Sequence, residues 1–412
     1  MTDRFRARSD DLQPLRVGPI GPHLESFAVL LSQQGYCKGS GWLKVRLVAD
    51  LSRWLQRRHI ALKDLDETWT TAFLNARWKR IECCAGDRAT MTLLLRHLRQ
   101  AKVIATSPPA AVCGDIALIA QDYEEFLLEE RSLVRSSADQ YLTTARRFLS
   151  HCFPNGKVYL ARLCAQHVTD FVSYEAANLG HRTVQLAASV LRSLLGFLFQ
   201  KGRISTNLSS AVPRVASRSL SQLPRYLEKE QVEKVLRGCD RRRKVGKRDY
   251  AILLLLARLG LRAGEVVRLT LDDVDWHAGE LLVRGKGARV DRLPLLQDVG
   301  QALADYLQKG RPECSSRRAF IQCKAPYEGF ARAGSVSSLV RAALERVHLC
   351  PQNKGAHLLR HSLATGMLRN GASLAQIGQV LRHQLPQTTE IYAKVDLDAL
   401  RKLALPWLGG GL

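Results

Sequence analysis

Two stretches without periodicity cut this chain, and they constrain its fold more than any other feature. At Ser107-Pro108-Pro109 neither proline can continue a helix. Residues 207–223 form the second break, a basic segment with Pro213, Arg214 and Arg218 that runs into Pro224. Outside the breaks helical spacing dominates. Leu43, Leu47, Leu51 and Leu55 recur every four residues, Met91, Leu94, Leu95 and Leu98 share one face, and Asp66 before Trp69 and Phe73 reads as a capped helix start. Apolar positions 116, 119, 123, 126 and 127, then 138, 141, 142, 145, 148 and 149, predict two further helices, and residues 168–178 and 183–200 predict two more. The polar faces of this second block carry Arg135, Arg146, Arg147, Arg182 and Arg192.

The last block departs from this pattern. A short strand over 279–284, a Gly285-Lys286-Gly287 turn and a return strand over 289–295 make a hairpin. Helices resume at 299–307, 335–347, 357–369 and 374–383. The expected fold is mainly α with a small β-sheet. Its parts are an N-terminal helical extension (1–110), a helical domain (111–210), a basic linker (211–224) and an α+β block (225–412).

Charge points to the partner class. Lys and Arg number 62 against 38 Asp and Glu, a net +24. That balance favours a polyanion, and the prevalence of Arg over Lys suits bidentate phosphate contacts. Seven bases crowd into residues 237–248, among them Arg241, Arg242, Arg243 and Lys244, which are the candidate contacts to a phosphate backbone. The longest apolar run, 251–257, is far short of the ~20 residues that span a bilayer. Residues 1–16 mix acids and bases without an apolar core, so no secretory signal is expected and the chain is placed in the cytoplasm, on the nucleoid. Ten scattered cysteines include no Cys-x-x-Cys pair, and neither a phosphate-binding glycine loop nor an acidic metal cluster is visible, so no metal or cofactor is expected.

Taken singly, the chemically capable residues of the last block have ordinary explanations. Arg262 can cap a helix or pair with Glu265, Lys286 can be a solvated turn lysine, His383 can complement a helix C-terminus, and Tyr392 can be core. His357 and Arg360 lie three apart, on one helix face. Their fixed order changes the reading. Gly260-Leu261-Arg262 with Glu265, Gly285-Lys286-Gly287 before Leu293-Pro294-Leu295, His357-Leu358-Leu359-Arg360-His361-Ser362, Leu381-Arg382-His383 and Thr389-Glu390-Ile391-Tyr392 together resemble the tyrosine recombinase (phage integrase) family. The resemblance spans residues 225–400 and extends more loosely to 111–205, which is similar to the family's helical, SAM-like core-binding domain. One departure is Arg382, where the family often has glycine, and it is an added candidate for DNA contact.

The resemblance implies DNA strand cleavage and rejoining through a phosphotyrosine on Tyr392. Arg262 and Arg360 would hold the phosphoryl oxygens. His357 would accept the phenolic proton, Lys286 would protonate the leaving 5′ oxygen, His383 would donate to a non-bridging oxygen, and Glu265 would orient Arg262 or His357. The implied partner is double-stranded DNA, gripped by a C-shaped clamp, with a homotetramer assembled on two sites, alone or with other recombinases. The apolar tail 400–407 can dock on a neighbouring protomer or on its own core. A type IB-like topoisomerase and a catalytically silent DNA-binding protein are the competing readings, and the role of residues 1–105 stays open.

Overall fold

The computed structural model describes residues 5, 9–79, 84, 86–105, 114–215, 225–285 and 289–393. Lys286 and the tail 400–407 lie outside the described residues. The chain divides into two compact units: Ser107–Gln222, and Met1–Thr106 together with Leu223–Leu412.

In the second of these, the N-terminal helices are α1 (Leu24–Gln33), α2 (Lys38–Arg57), α3 (Glu67–Trp78) and α4 (Asp87–Gln100). Asp66 caps α3 as expected, accepting the Trp69 N–H at 2.9 Å. Along α2, Leu47, Leu51 and Leu55 are buried, but Leu43 is 70% exposed. Four residues turn a helix by roughly 400°, so each step of a strict four-residue repeat drifts by ~40°. Three steps carry Leu43 off the buried face. The block meets the C-terminal part of its unit where the Tyr327 N–H donates to the Gln34 carbonyl at 3.1 Å and Ala325 packs against the N-terminal core.

The Ser107–Gln222 unit holds α5 (Asp115–Glu125), which continues into a π-helical turn (Phe126–Glu130), then α6 (Arg135–Cys152), α7 (Ala165–Asn178) and α8 (His181–Gln200). Aromatic pairs knit its core, Tyr123 with Phe197 at 5.3 Å and Phe148 with Phe171 at 5.3 Å. By length and composition α8 could cross a membrane. Its Val184, Leu191, Leu194 and Leu198 are buried inside this unit, the pattern of a core helix.

The C-terminal block is built on α10 (Lys244–Arg258), preceded by α9 (Lys229–Arg237). The apolar run 251–257 is buried throughout, so α10 is the central helix of the largest core. Around it lie α11 (Ala263–Arg268), α12 (Gln297–Lys309), α13 (Ala333–Arg346), α14 (His357–Arg369), α15 (Leu374–Leu381) and the short α16 (Gln387–Glu390). The expected hairpin is β2 (Glu280–Arg284) against β3 (Val290–Pro294), with Leu282 opposite Arg292. A two-residue strand that the sequence reading lacked, β1 (Val274–Asp275), completes a three-stranded antiparallel sheet. Leu281 and Val283 point into the core, the period-two pattern of a half-buried strand.

The first turn of α10 fixes the basic loop before it. A Cβ on Gly246 would sit 1.9 Å from the Asp240 carbonyl oxygen, whereas one on Gly366 in α14 would meet nothing within 4 Å. Gly246→Ala is therefore expected to destabilise the fold by about 2 kcal/mol through overpacking, and Gly366→Ala to stabilise it by about 0.5–1 kcal/mol through backbone entropy. Urea denaturation of the two variants checks the opposite signs.

Candidate active site

A buried carboxylate organises the cations of the C-terminal block. Glu265, on α11, is 3% exposed. Its carboxylate accepts the Arg262 backbone N–H and the Arg262 guanidinium, each at 2.8 Å, and the Arg382 guanidinium at 2.8 Å. Burial pushes this carboxyl up, but the Arg262 N–H and the Arg382 and Arg262 cations outweigh it and hold it below the usual carboxylate range. Arg262 is the N-cap of α11, so its side chain leaves the helix start while its backbone is pinned by Glu265. Its guanidinium also donates to the Arg382 carbonyl at 3.2 Å.

Arg360 comes from the first turn of α14 and is 3% exposed. Its two terminal nitrogens donate to the carbonyls of Gly260 and Leu381. Burial, with the neighbouring Arg262 and Arg382 cations, pushes its pKa down to about 10. Gly260 has φ +58°, and a Cβ there would meet Leu381 at 2.8 Å, so glycine is needed for this approach. The Gly-Leu-Arg motif thus carries a backbone requirement as well as the arginine.

Arg382 does not face solvent as its proposed DNA contact requires. It is 6% exposed, paired with Glu265, and its Nε lies 3.9 Å from Asp291 on β3. The correction has a physical reason: Arg382 ends α15 in the left-handed region, φ 56° and ψ 49°, which turns its side chain back under the helix toward Glu265. The glycine common in the family suits this conformation without strain, and here an arginine accepts it while gaining a buried ion pair.

Tyr392 follows α16 and is 1% exposed. Its hydroxyl lies 2.8 Å from Nδ1 of His361, on α14. Its ring is parallel to that of His383, 6.5 Å away, and His383 Nδ1 is 2.7 Å from Thr389 Oγ1. Burial raises the Tyr392 phenol to about 12, with Arg360 pulling the other way. His361 is pushed down to about 4 by burial, His357 and Arg360. His383 is pushed down to about 4 by burial and by Arg360, Arg262, His361 and Arg382.

Arg262, Glu265, Arg360, His383 and Tyr392 therefore come together, as their order in the chain led one to expect. His357 stands at the exposed start of α14, its ring 6.2 Å from that of His361. The imidazole that meets the phenol is His361, which was absent from the candidate catalytic residues. The signal was present: His361 is one helical turn beyond His357, on the same face of α14. Lys286 lies outside the described residues; on either side of it the Gly285 N–H donates to the Arg289 carbonyl at 2.7 Å. Arg241, Arg242, Arg243 and Lys244 are exposed, Arg241 lying over the Tyr250 ring at 4.8 Å. Among the described residues no three His, Cys, Asp or Glu side chains gather as a metal site would need.

Residues 225–398 match the phage integrase family, and residues 120–202 match the phage integrase N-terminal SAM-like domain. A Sinorhizobium fredii protein that carries the name integrase/recombinase y4rA is 43% identical over 397 residues, 95% of each chain. The tyrosine recombinase XerD of Mycobacterium tuberculosis is 30% identical over 312 residues, 71% of this chain and 97% of the relative. In fold, the chain is similar to the XerH site-specific recombinase bound to a palindromic difH substrate, in a post-cleavage complex. The TM-score is 0.55 at 20% identity, over 84% of this chain and 98% of that one.

The buried charges make two expectations. Glu265→Gln removes the anion that compensates Arg382 and should cost about 3 kcal/mol of stability in urea denaturation; an unchanged midpoint would show that the network is energetically idle. His361 and His383 have folded pKa values of about 4 against an ordinary 6.5, so below 6.5 the unfolded chain binds protons that the folded chain refuses. The stability they allow is full above pH 6.5 and is lost as pH falls toward 4. Urea midpoints taken between pH 8 and pH 5 should be flat and then fall, and His361→Gln with His383→Gln should flatten the fall.

Proposed function

We propose, for a chain that belongs to the phage integrase family of tyrosine recombinases, that it cuts and rejoins double-stranded DNA at specific sites through a 3′-phosphotyrosine on Tyr392. The observation that carries this is the company of the phenol: a 2.8 Å contact to His361, a parallel His383 ring, and the charge of Arg360 acting on it. A nucleophilic tyrosine needs a proton acceptor and a cationic setting for the charge that gathers on phosphorus oxygens, and both stand here.

In this reading Arg262 and Arg360 hold the non-bridging oxygens. Arg262, with its side chain 37% exposed, is the one that an arriving phosphate meets first. Arg360 now satisfies two carbonyls and would exchange these partners for phosphate oxygens. His383 donates a further hydrogen bond, and His357 accepts the phenolic proton, as the resemblance implies. Lys286, on the hairpin turn, protonates the leaving 5′ oxygen. The ester retains the energy of the broken bond, so rejoining requires no nucleotide hydrolysis.

The proposed organisation is a helical DNA-binding domain at 111–210, a basic linker at 211–224 and the catalytic domain at 225–412, behind an N-terminal helical extension at 1–110 whose task is left open. The exposed run 241–244 contacts the DNA backbone. Four copies act on two sites, for integration, excision or transposition of a mobile element, and the protein works on the nucleoid. The first of these tasks draws support from the name of the Sinorhizobium fredii relative, an integrase/recombinase.

Tyr392→Phe is expected to bind DNA within about twofold of the parent chain and to form no denaturant-resistant DNA adduct; an adduct that survives the substitution refutes Tyr392 as the nucleophile. Replacing residues 241–244 with alanine should weaken binding to all sequences and lower the slope of log affinity against log salt by about one per lost phosphate contact. An unchanged slope would remove this loop from the interface.

A further inference from the structure

We propose that Arg382 is a positioning residue: it stands as the buried counter-ion of Glu265 and so frees the charge of Arg262 for a DNA phosphate. The inference rests on the phosphotyrosine reading above and concerns how the phosphate under attack is held. The Arg382 side chain is 4% exposed and that of Glu265 1%, so neither meets DNA directly. Arg262, with its side chain 37% exposed, is the member of the cluster that a phosphate reaches.

The geometry divides the carboxylate between two arginines. Glu265 Oε1 accepts Arg262 Nη1 at 2.8 Å. Oε2 accepts the Arg262 backbone N–H and Arg382 Nη2, each at 2.8 Å. Arg382 also reaches Arg262 through the backbone, its carbonyl accepting Arg262 Nη2 at 3.2 Å. A second carboxylate, Asp291, is 3.9 Å from Arg382 Nε and already accepts Arg289 at 2.9 Å. The Nε–H of Arg382 is left buried without a hydrogen bond. Its guanidinium is committed to Glu265, with weaker bonds to the Leu259 and Val380 carbonyls at 3.4 Å.

Electrostatics give that commitment a purpose. Glu265 is buried and held in its anionic form, hydrogen-bonded to the arginine that must take a phosphate. If Arg262 were its only partner, phosphate and carboxylate would compete for one cation and repel each other across a medium of low polarity. Arg382 removes the conflict. It neutralises Glu265 whether or not DNA is bound, and its burial keeps salt from screening the pair. Arg262 can then stay anchored to Glu265 by its backbone N–H and turn its guanidinium to the phosphate. The left-handed backbone of Arg382, φ 56° and ψ 49°, aims the side chain inward for this task.

The test uses the full chain and a duplex that it cleaves, in single turnover at saturating protein. The variants are Arg382→Lys, Arg382→Gln, and Arg382→Gln combined with Glu265→Gln. Lysine keeps the charge and loses the fork, whereas glutamine loses the charge. Arg382→Gln should cleave about 10–100-fold more slowly than the parent chain, less than the roughly 10²–10³-fold loss of a donor that touches the reacting charge. Arg382→Lys should stay within about fivefold. The double variant has no buried carboxylate to neutralise and should also return to within about fivefold, so it decides the matter even where Arg382→Gln alone does not fold. A second duplex carries an uncharged methylphosphonate at the cleaved position. Glu265 has no anion to repel there, so Arg382→Gln should come within about threefold of the parent, a selectivity that lost packing or stability would not produce. Equal losses on the two duplexes, a loss as large with lysine as with glutamine, no recovery in the double variant, or parental cleavage of the phosphodiester by Arg382→Gln each overturn the inference. Adduct formed by Tyr392→Phe would instead defeat the phosphotyrosine reading, a distinct outcome because it is read in a chain whose Arg382 is intact.

Discussion

The carboxylate of Glu265 is the interaction on which the rest of the site depends. Three arginines converge near it, and three buried or half-buried cations cannot share a small volume without an anion. Glu265 pairs directly with Arg262 and Arg382, and its charge also offsets the repulsion that Arg360 feels from both. The carbonyls of Gly260 and Leu381 take donors of Arg360, that of Arg382 takes one of Arg262, and those of Leu259 and Val380 take Arg382. The Gly260 turn, the end of α15 and the start of α11 are thereby fixed to one another through hydrogen bonds to charged groups, which are stronger than neutral ones.

This arrangement sets the electrostatic problem that the proposed catalysis must solve. Burial lifts the Tyr392 phenol from 10.0 to about 12, roughly 3 kcal/mol against the phenolate. The proposed nucleophile rests protonated and covered, at 1% exposure, against a neutral imidazole. The proposed attack on DNA needs the hydroxyl to meet phosphorus and its proton to leave at that moment. In the proposed reaction a bound phosphate would satisfy Arg262 and Arg360 more completely than carbonyls do, so the substrate itself would supply the driving force for opening the site.

Much of this was legible in the sequence because the site is assembled from short motifs of fixed order. Arg262 with Glu265 lies within one helical turn, and Arg360 and Tyr392 are each flanked by recognisable residues. The hairpin was readable from its Gly-Lys-Gly turn and came within one residue at each strand. What escaped depends on tertiary geometry. His361 was quoted in the motif yet passed over, because only the packing of the segment after α16 onto α14 brings the phenol to it. Arg382 read as one more basic group for DNA, because its left-handed backbone and its inward turn toward Glu265 leave no mark on composition. Leu43 shared the leucine spacing of its neighbours and is exposed because a strict four-residue repeat drifts around a helix.

The central claim is a covalent bond between Tyr392 and a 3′ phosphate, and peptide mapping of a trapped adduct tests it most directly. The chain is mixed with DNA flanking its own gene, quenched in denaturing detergent, digested with nuclease and protease, and its modified peptides are sequenced by mass spectrometry. A nucleotide phosphate carried on Tyr392, within the peptide that contains Thr389-Glu390-Ile391, is the predicted result. An adduct on any other residue, or DNA cleaved with no covalent protein attached, would contradict the account.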